Sequence, residues 1–244
     1  MGRIFISAAH GGKEAAGIDP GSVAGGTTEA REMILLRDLI VTEMRSRSFE
    51  ILAVPDDLSA QQTIAWINSR GRRGDVAIEI HADAASSPSV SGASVFYIAN
   101  NDERKNNADL LLMGLLRRVP QLQNRGVKPD TNAGVGSLTF CRQPTIPSLL
   151  MQVGFLSNPG DRSLLQNRRR DFALGIADGL ASWSRAIDPG SSGGSSPTPT
   201  STPTPTPTPA PEATYPAINI NINGQNYSEK GVLINGNAYI PIDL

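Results

Sequence analysis

The run SLLMQVGFLSN, residues 148–158, is apolar on both faces until it reaches Gly, Ser and Asn, with one polar residue, Gln152, set among Leu, Met and Val. Such a run reads as a buried strand that turns into a loop. An amide in that setting is either a satisfied core group or stands where a reacting residue belongs.

Outward from this strand the chain alternates. RIFISAAH (3–10), FEILAVP (49–55), DVAIEIHAD (75–83) and GASVFYIAN (92–100) read as strands. Helical patterns lie between and after them, in SAQQTIAWINSRG, NDERKNNADLLLMGLLRRV and RRDFALGIADGLASWSRAI. The first helix, TTEAREMILLRDLIVTEMRSR, has a Thr cap, acids in its first turn and apolar residues at Ile34, Leu35, Leu39 and Met44. The alternation predicts an α/β domain with a largely parallel central sheet and helices on both faces. Ligands of such sheets gather outside the carboxyl ends of the strands.

Composition changes near residue 189 and divides the chain into a domain over 1–188, a linker over 189–214 and a partial β module over 215–244. GSSGGSS reads as a flexible hinge. Alternating Pro and Thr in 197–211 can neither form a helix nor bury apolar groups, so a disordered, PPII-rich spacer of roughly 45 Å is expected. Beyond it, AININING and GVLINGNAYIPIDL alternate around Asn-Gly turns, as paired strands do. That short C-terminal β segment lacks the length for its own core and is expected to pair with a protein partner.

Of the 244 residues, 22 are Lys or Arg and 23 Asp or Glu, so no basic excess points to nucleic acid or an anionic membrane. The one cysteine, Cys141, excludes an intrachain disulfide. No apolar run approaches the roughly 20 residues of a membrane span, and MGRIFISAAHGG lacks the features of a signal peptide.

Only two histidines occur, His10 and His81, and each closes a predicted strand. Imidazoles placed this way point to a shared metal, and catalytic zinc takes three protein ligands plus water. With cysteine so scarce, the third ligand is a carboxylate: Glu14, Asp19, Glu29, Glu32, Glu79 or Asp83. Glu79 shares a face with His81 at period two. Asp83 is a candidate hydrogen-bonding group beside the metal. Arg142, in FCRQ near the strand of Gln152, is a candidate contact for a peptide carboxylate.

AAHGGKEAAGIDPGSVAGGTTEARE (8–32), IEIHADA (78–84) and SLLMQVGFLSNPGDRSLL (148–165) together resemble the zinc-dependent N-acetylmuramoyl-L-alanine amidases of the amidase-3 group, over roughly residues 3–185. The resemblance implies a Zn2+ ion held by His10, Glu29 and His81, with Glu32 as the fallback carboxylate. It implies peptidoglycan as substrate, cut at the amide between the lactyl group and L-Ala. It departs from the family at one place: where the family carries a glutamate two residues before Gly-Phe, this chain has Gln152. Glutamine cannot accept and return a proton, so reduced or abolished turnover is expected, whether nature or design placed it there. Two other readings stay open: a non-catalytic cell-wall binding module, or a component of a phage-like lysis or injection assembly. Action in the periplasm or cell wall is implied; with no export signal visible, either a leader is missing from this sequence or the protein stays in the cytoplasm until a lysis or injection route delivers it. The helical segment between Asn100 and Arg125 shows no sign of an autoinhibitory regulator. The tail INGNAYIPIDL resembles the small β repeats of copper amine oxidase stalk domains but has no histidine to bind copper. It reads as a docking or anchoring segment.

Overall fold

The computed structural model describes residues 2–14, 17–134 and 136–188, together with the backbone of 217–222, 225–234 and 237–239. The chain divides into two compact units, 1–195 and 196–244. The linker expected at 189–214 and the two Asn-Gly turns lie outside the described residues.

The first unit is built on six strands: β1 (Ile4–Ala8), β2 (Ile51–Ala53), β3 (Val76–Asp83), β4 (Ala93–Tyr97), β5 (Asn124–Pro129) and β6 (Ser148–Phe155). They lie in the order β2-β1-β3-β6-β4-β5. Every neighbouring pair is parallel except β6 with β4. The sheet is therefore largely parallel, as the alternating pattern predicts. β6 is buried along its whole length, which is why its sequence is a continuous apolar run rather than an alternating one.

Helices cover both faces: α1 (Glu29–Ser46), α2 (Ala60–Asn68), α3 (Asp102–Arg118), α4 (Thr139–Arg142), α5 (Pro159–Asn167) and α6 (Arg169–Ile187). Ile4, Ile6, Ile78, Ile80, Leu149 and Met151 project from one face into a core shared with α1, α3 and α6. Phe5, Ala77, Phe96 and Leu150 project from the other against Ile64 and Ile67 of α2 and Phe140 of α4. A methyl group on Gly179 would lie 2.7 Å from Leu111 Cα, and one on Gly114 would lie 2.5 Å from the Gly175 carbonyl oxygen. Helices α3 and α6 therefore cross backbone to backbone, at a separation no larger side chain allows.

The structure departs from the sequence reading in β5, α4, α5 and the buried face of α1. β5 and α5 were not anticipated, although Asn158 caps α5 by accepting from Asp161 N–H at 2.9 Å, with Pro159 opening the helix. The buried stripe of α1 is Met33, Leu36, Ile40, Val41 and Met44, while Leu35 and Leu39 are 41% and 39% exposed. The helix is apolar around more than half its circumference, and the face that also carries the buried Glu29 is the one turned to the sheet.

In the second unit, β7 (Ala217–Ile222), β8 (Gln225–Ile234) and β9 (Asn237–Tyr239) form an antiparallel sheet in chain order. No described helix is long and apolar enough to cross a membrane.

The register of α1 makes a direct test. Leu36→Ala empties fully buried space and should cost about 2–5 kcal/mol, whereas Leu35→Ala should stay within about 0.5 kcal/mol. Urea midpoints of the two variants measure the difference, and equal losses would mean the helix is rotated.

Candidate metal centre

Beyond β1 the Ala9 N–H still bonds to the Ile80 carbonyl at 3.0 Å, and the chain then turns sharply through His10, whose φ is 66°, and Gly11. A non-glycine residue in the left-handed region carries strain that surrounding contacts must hold, and histidine tolerates it better than most. Here the Gly11 N–H bonds to the Asp19 carbonyl at 2.7 Å and the Asp19 N–H to the Gly12 carbonyl at 2.9 Å. The turn aims the His10 ring back over the carboxyl end of β1. His81 comes from β3, and Glu29 is the first residue of α1, where Thr28 Oγ1 caps the helix by accepting from Arg31 N–H.

The three side chains meet. His10 Nε2 lies 3.3 Å from Glu29 Oε2, and His81 Nδ1 lies 3.0 Å from Glu29 Oε1. One ligand atom from each falls within 4.8 Å of the others. The outer ring nitrogens are held by two further acids: His10 Nδ1 by Asp19 Oδ2 at 2.6 Å, and His81 Nε2 by Glu79 Oε2 at 3.0 Å. Glu29, only 2% exposed, also accepts from the backbone N–H groups of Ser22 and Ala82, each at 3.0 Å. Gly21 sits so close that a methyl group there would come within 2.5 Å of His10 Cδ2 and 2.9 Å of Glu29 Cβ.

The electrostatics follow from this crowding. The hydrogen bond to Glu29, working against burial, lifts the His10 imidazolium to about 9. Burial pulls His81 down, but its bonds to Glu29 and Glu79 outweigh it and lift the pKa to about 10. Burial pushes the Glu29 carboxyl up, yet the two imidazoles hold it far below the usual carboxylate range.

The set suits a metal. Two imidazole nitrogens and a carboxylate oxygen are zinc donors, and ligands about 2.0 Å from a tetrahedral zinc stand about 3.3 Å apart. Each imidazole brings a nitrogen that near to one oxygen of Glu29. Acceptors on the outer nitrogens fix the ring tautomers, as in most histidine metal sites.

Of the other candidate carboxylates, Glu32 is engaged elsewhere, accepting from Thr27 Oγ1 at 2.6 Å and Gln166 Nε2 at 2.9 Å and pairing with Arg169. Glu14 accepts from the Ala60 N–H at 3.3 Å.

Gln152 lies opposite His81 in the β6–β3 register and opposite Ser94 in the β6–β4 register. A bulge follows immediately, so that Phe155 rather than residue 154 pairs with Asp83. The amide is used at both ends: Nε2 donates to Asp83 Oδ2 at 2.7 Å, and Oε1 accepts from Ser94 Oγ at 3.1 Å. Arg142 forks onto buried Asp130, so its charge is already met by an acid of this chain.

These groups border an open cleft of about 880 Å³, lined at one end by His10, Glu29 and His81 and also by Gln152, Arg125 and Lys128. The two cations come from β5 and were missed in the sequence. NRGVKP contains Gly and Pro and lacks alternation; a polar segment with Pro is also how edge strands are written, and that was the available signal.

A family model described as N-acetylmuramoyl-L-alanine amidase matches residues 4–182. N-acetylmuramoyl-L-alanine amidase AmiC of Neisseria meningitidis serogroup B is 24% identical over 72% of this chain and 51% of its own length. The probable cell wall amidase LytH of Staphylococcus epidermidis is 29% identical over 48% of this chain and 38% of its own length. The chain thus spans about half the length, or less, of these curated relatives. Among solved structures, the catalytic domain of CwlV, an N-acetylmuramoyl-L-alanine amidase from Paenibacillus polymyxa var. colistinus, superposes with a TM-score of 0.64 at 22% identity. It covers 77% of this chain and 100% of its own. AmiC2 of Nostoc punctiforme gives the same TM-score at 20% identity, covering 75% and 96%. At these identities the structural likeness speaks for the fold.

Protonated histidines set two opposite pH trends. Without metal, His10 and His81 contribute stability that is complete below about 6.5, the unfolded value, and is lost as pH rises through about 9 and about 10. With metal, the imidazoles must give up those protons, so zinc affinity should rise about tenfold per pH unit for each proton released. Melting curves in chelator and competition titrations with zinc, both from pH 6.5 to 9, test the pair. A zinc affinity flat across that range would show that the imidazoles are not the ligands.

Proposed function

The chain belongs to the N-acetylmuramoyl-L-alanine amidase family, and on that footing we propose that residues 1–188 form a zinc-dependent peptidoglycan amidase domain in which Gln152 occupies the position of the proton-transferring glutamate. The observation that carries the proposal is the meeting of His10, Glu29 and His81 at the carboxyl edge of β1 and β3, one strand away from Gln152.

His10, Glu29 and His81 would hold the ion; bound there, zinc supplies an acidified water and polarises the carbonyl of the scissile amide. The chain's own residues do the remainder. Asp19 and Glu79 hold the outer nitrogens of the two rings and so orient them. Gln152 projects into the cleft beside His81, at the distance of one strand spacing. A glutamate there could take a proton from the attacking water and pass it to the departing amine of L-Ala; an amide can do neither. The substrate proposed is the lactyl–L-Ala amide of peptidoglycan, and the place of action the periplasm or cell wall. The C-terminal β segment is proposed to dock a protein partner through the 189–214 linker.

A second reading, a wall-binding module that keeps the metal and does not cut, is favoured by the state of the Gln152 amide. Its nitrogen donates to Asp83 and its oxygen accepts from Ser94, so the glutamine fits its surroundings without a defect. A carboxylate at position 152 would instead face the Asp83 carboxylate, and two such groups at hydrogen-bond distance do not both ionise cheaply. Asp83 therefore belongs to the same design as Gln152.

Release of peptide from purified peptidoglycan with zinc supplied separates the readings. Gln152→Glu should raise the rate by about 10²–10⁴-fold over the parent chain. The double change Asp83→Asn/Gln152→Glu keeps the hydrogen bond with donor and acceptor exchanged, and should cut faster than Gln152→Glu alone at neutral pH. A parent chain as fast as Gln152→Glu would place the base elsewhere, and no cutting by either variant would favour the binding module.

A further inference from the structure

We propose that Arg125 and Lys128 form a carboxylate-binding subsite in the cleft, which takes an acidic peptide extending from the cut amide; the proposal rests on the peptidoglycan reading above. Both residues line the cleft that holds His10, Glu29 and His81. Neither has an acid within ion-pair distance among the described residues, whereas Arg142, Arg37 and Arg169 each have one. Arg125 lies with its guanidinium carbon 5.0 Å from the centre of the Phe155 ring, and Lys128 Nζ lies 5.8 Å from that of Phe96. Arg125 Nη1 donates to the Ser91 carbonyl at 3.2 Å, but the buried Nε has no hydrogen-bond partner. The acid that Arg125 influences, Asp161, spends its Oδ2 on the backbone N–H groups of Gly92 and Phe155.

Two cations thus line the cleft beside aromatic rings with no ion-pair partner among the described residues. Burial, and after it the nearby Arg125 charge, lowers the Lys128 pKa. A bound anion would oppose both effects by its charge. Charge is divided along the cleft: Asp19, Glu29 and Asp83 line it with the metal ligands, while the cations come from β4's far neighbour, β5. β3 and β5 are three strand spacings apart, about 14 Å, or roughly four residues of extended peptide. The free carboxylates beyond the first residue of a peptidoglycan stem lie within that reach.

Calorimetric titration of the full chain, with zinc present, tests this using two synthetic muramyl tetrapeptides, one with free carboxylates and one with all of them amidated. The free acid should bind about tenfold more tightly or better. Arg125→Met and Lys128→Met should each reduce that advantage, the double variant should abolish it, and Arg125→Lys should keep most of it. Equal affinity of the parent chain for both peptides, or an advantage that survives in the double variant, overturns the subsite and leaves the amidase reading intact. Failure of the parent chain to bind either peptide overturns both.

Discussion

The structure depends on one buried carboxylate. Glu29 ties together three separate pieces of chain: the turn after β1, through His10 and the Ser22 N–H; β3, through His81 and the Ala82 N–H; and the start of α1, of which it is the first residue. A buried carboxylate is tolerated only when its lone pairs are met, and here four donors meet them. Its place in the first turn of α1 adds the favourable end of the helix dipole. The same four contacts bring the imidazoles to metal-binding separation, so the arrangement that stabilises the charge is also the arrangement that builds the site. The strained backbone of His10 and the absence of a side chain at Gly21 are local consequences of that convergence.

Much of this was legible in the residues because it is written in short-range patterns. The alternation of strands and helices and the continuous apolar run of β6 follow from local rules, and they sufficed for the sheet and for His10 and His81 as candidates; Glu29 was singled out among six carboxylates only by the family resemblance. What escaped has a common cause. β5 is a polar edge strand whose pairing depends on β4 rather than on its own pattern, and with it went Arg125 and Lys128. The α1 stripe was misplaced because the helix offers two apolar faces, and only the tertiary position of Glu29 chooses between them. The role of Asp19 as the partner of His10 rests on the backbone hydrogen bonds it makes with Gly11 and Gly12, which no periodicity reports.

Asp83 and Gln152 show how two residues far apart in sequence must be read as one unit. Taken alone, Gln152 is an amide in an apolar strand, and Asp83 is an acid two positions after His81. In the structure the amide donates to the acid, and Ser94 completes the arrangement from a third strand. The bulge after Gln152 lets β6 keep His81 opposite Gln152 while setting Phe155 opposite Asp83.

The chemistry available in the cleft is then set by where charge is allowed to stay unpaired. At the metal end, the acids that touch the imidazoles are committed: Glu29 to both rings, Asp19 to His10, Glu79 to His81. A dication would displace the two protons that the rings carry and leave those acids in place, so the site keeps the same net charge. At β5 the reverse holds, since Arg125 and Lys128 lie near aromatic rings without an ion-pair partner among the described residues. A neutral substrate would gain nothing from that second end. A substrate with its reacting amide at one end and a negative charge several residues away engages both, and it is held in a single direction along the cleft. The polarity of the site comes from the order of the strands, because His10 follows β1 and His81 lies on β3, and the sheet reaches its cationic edge only after β6 and β4.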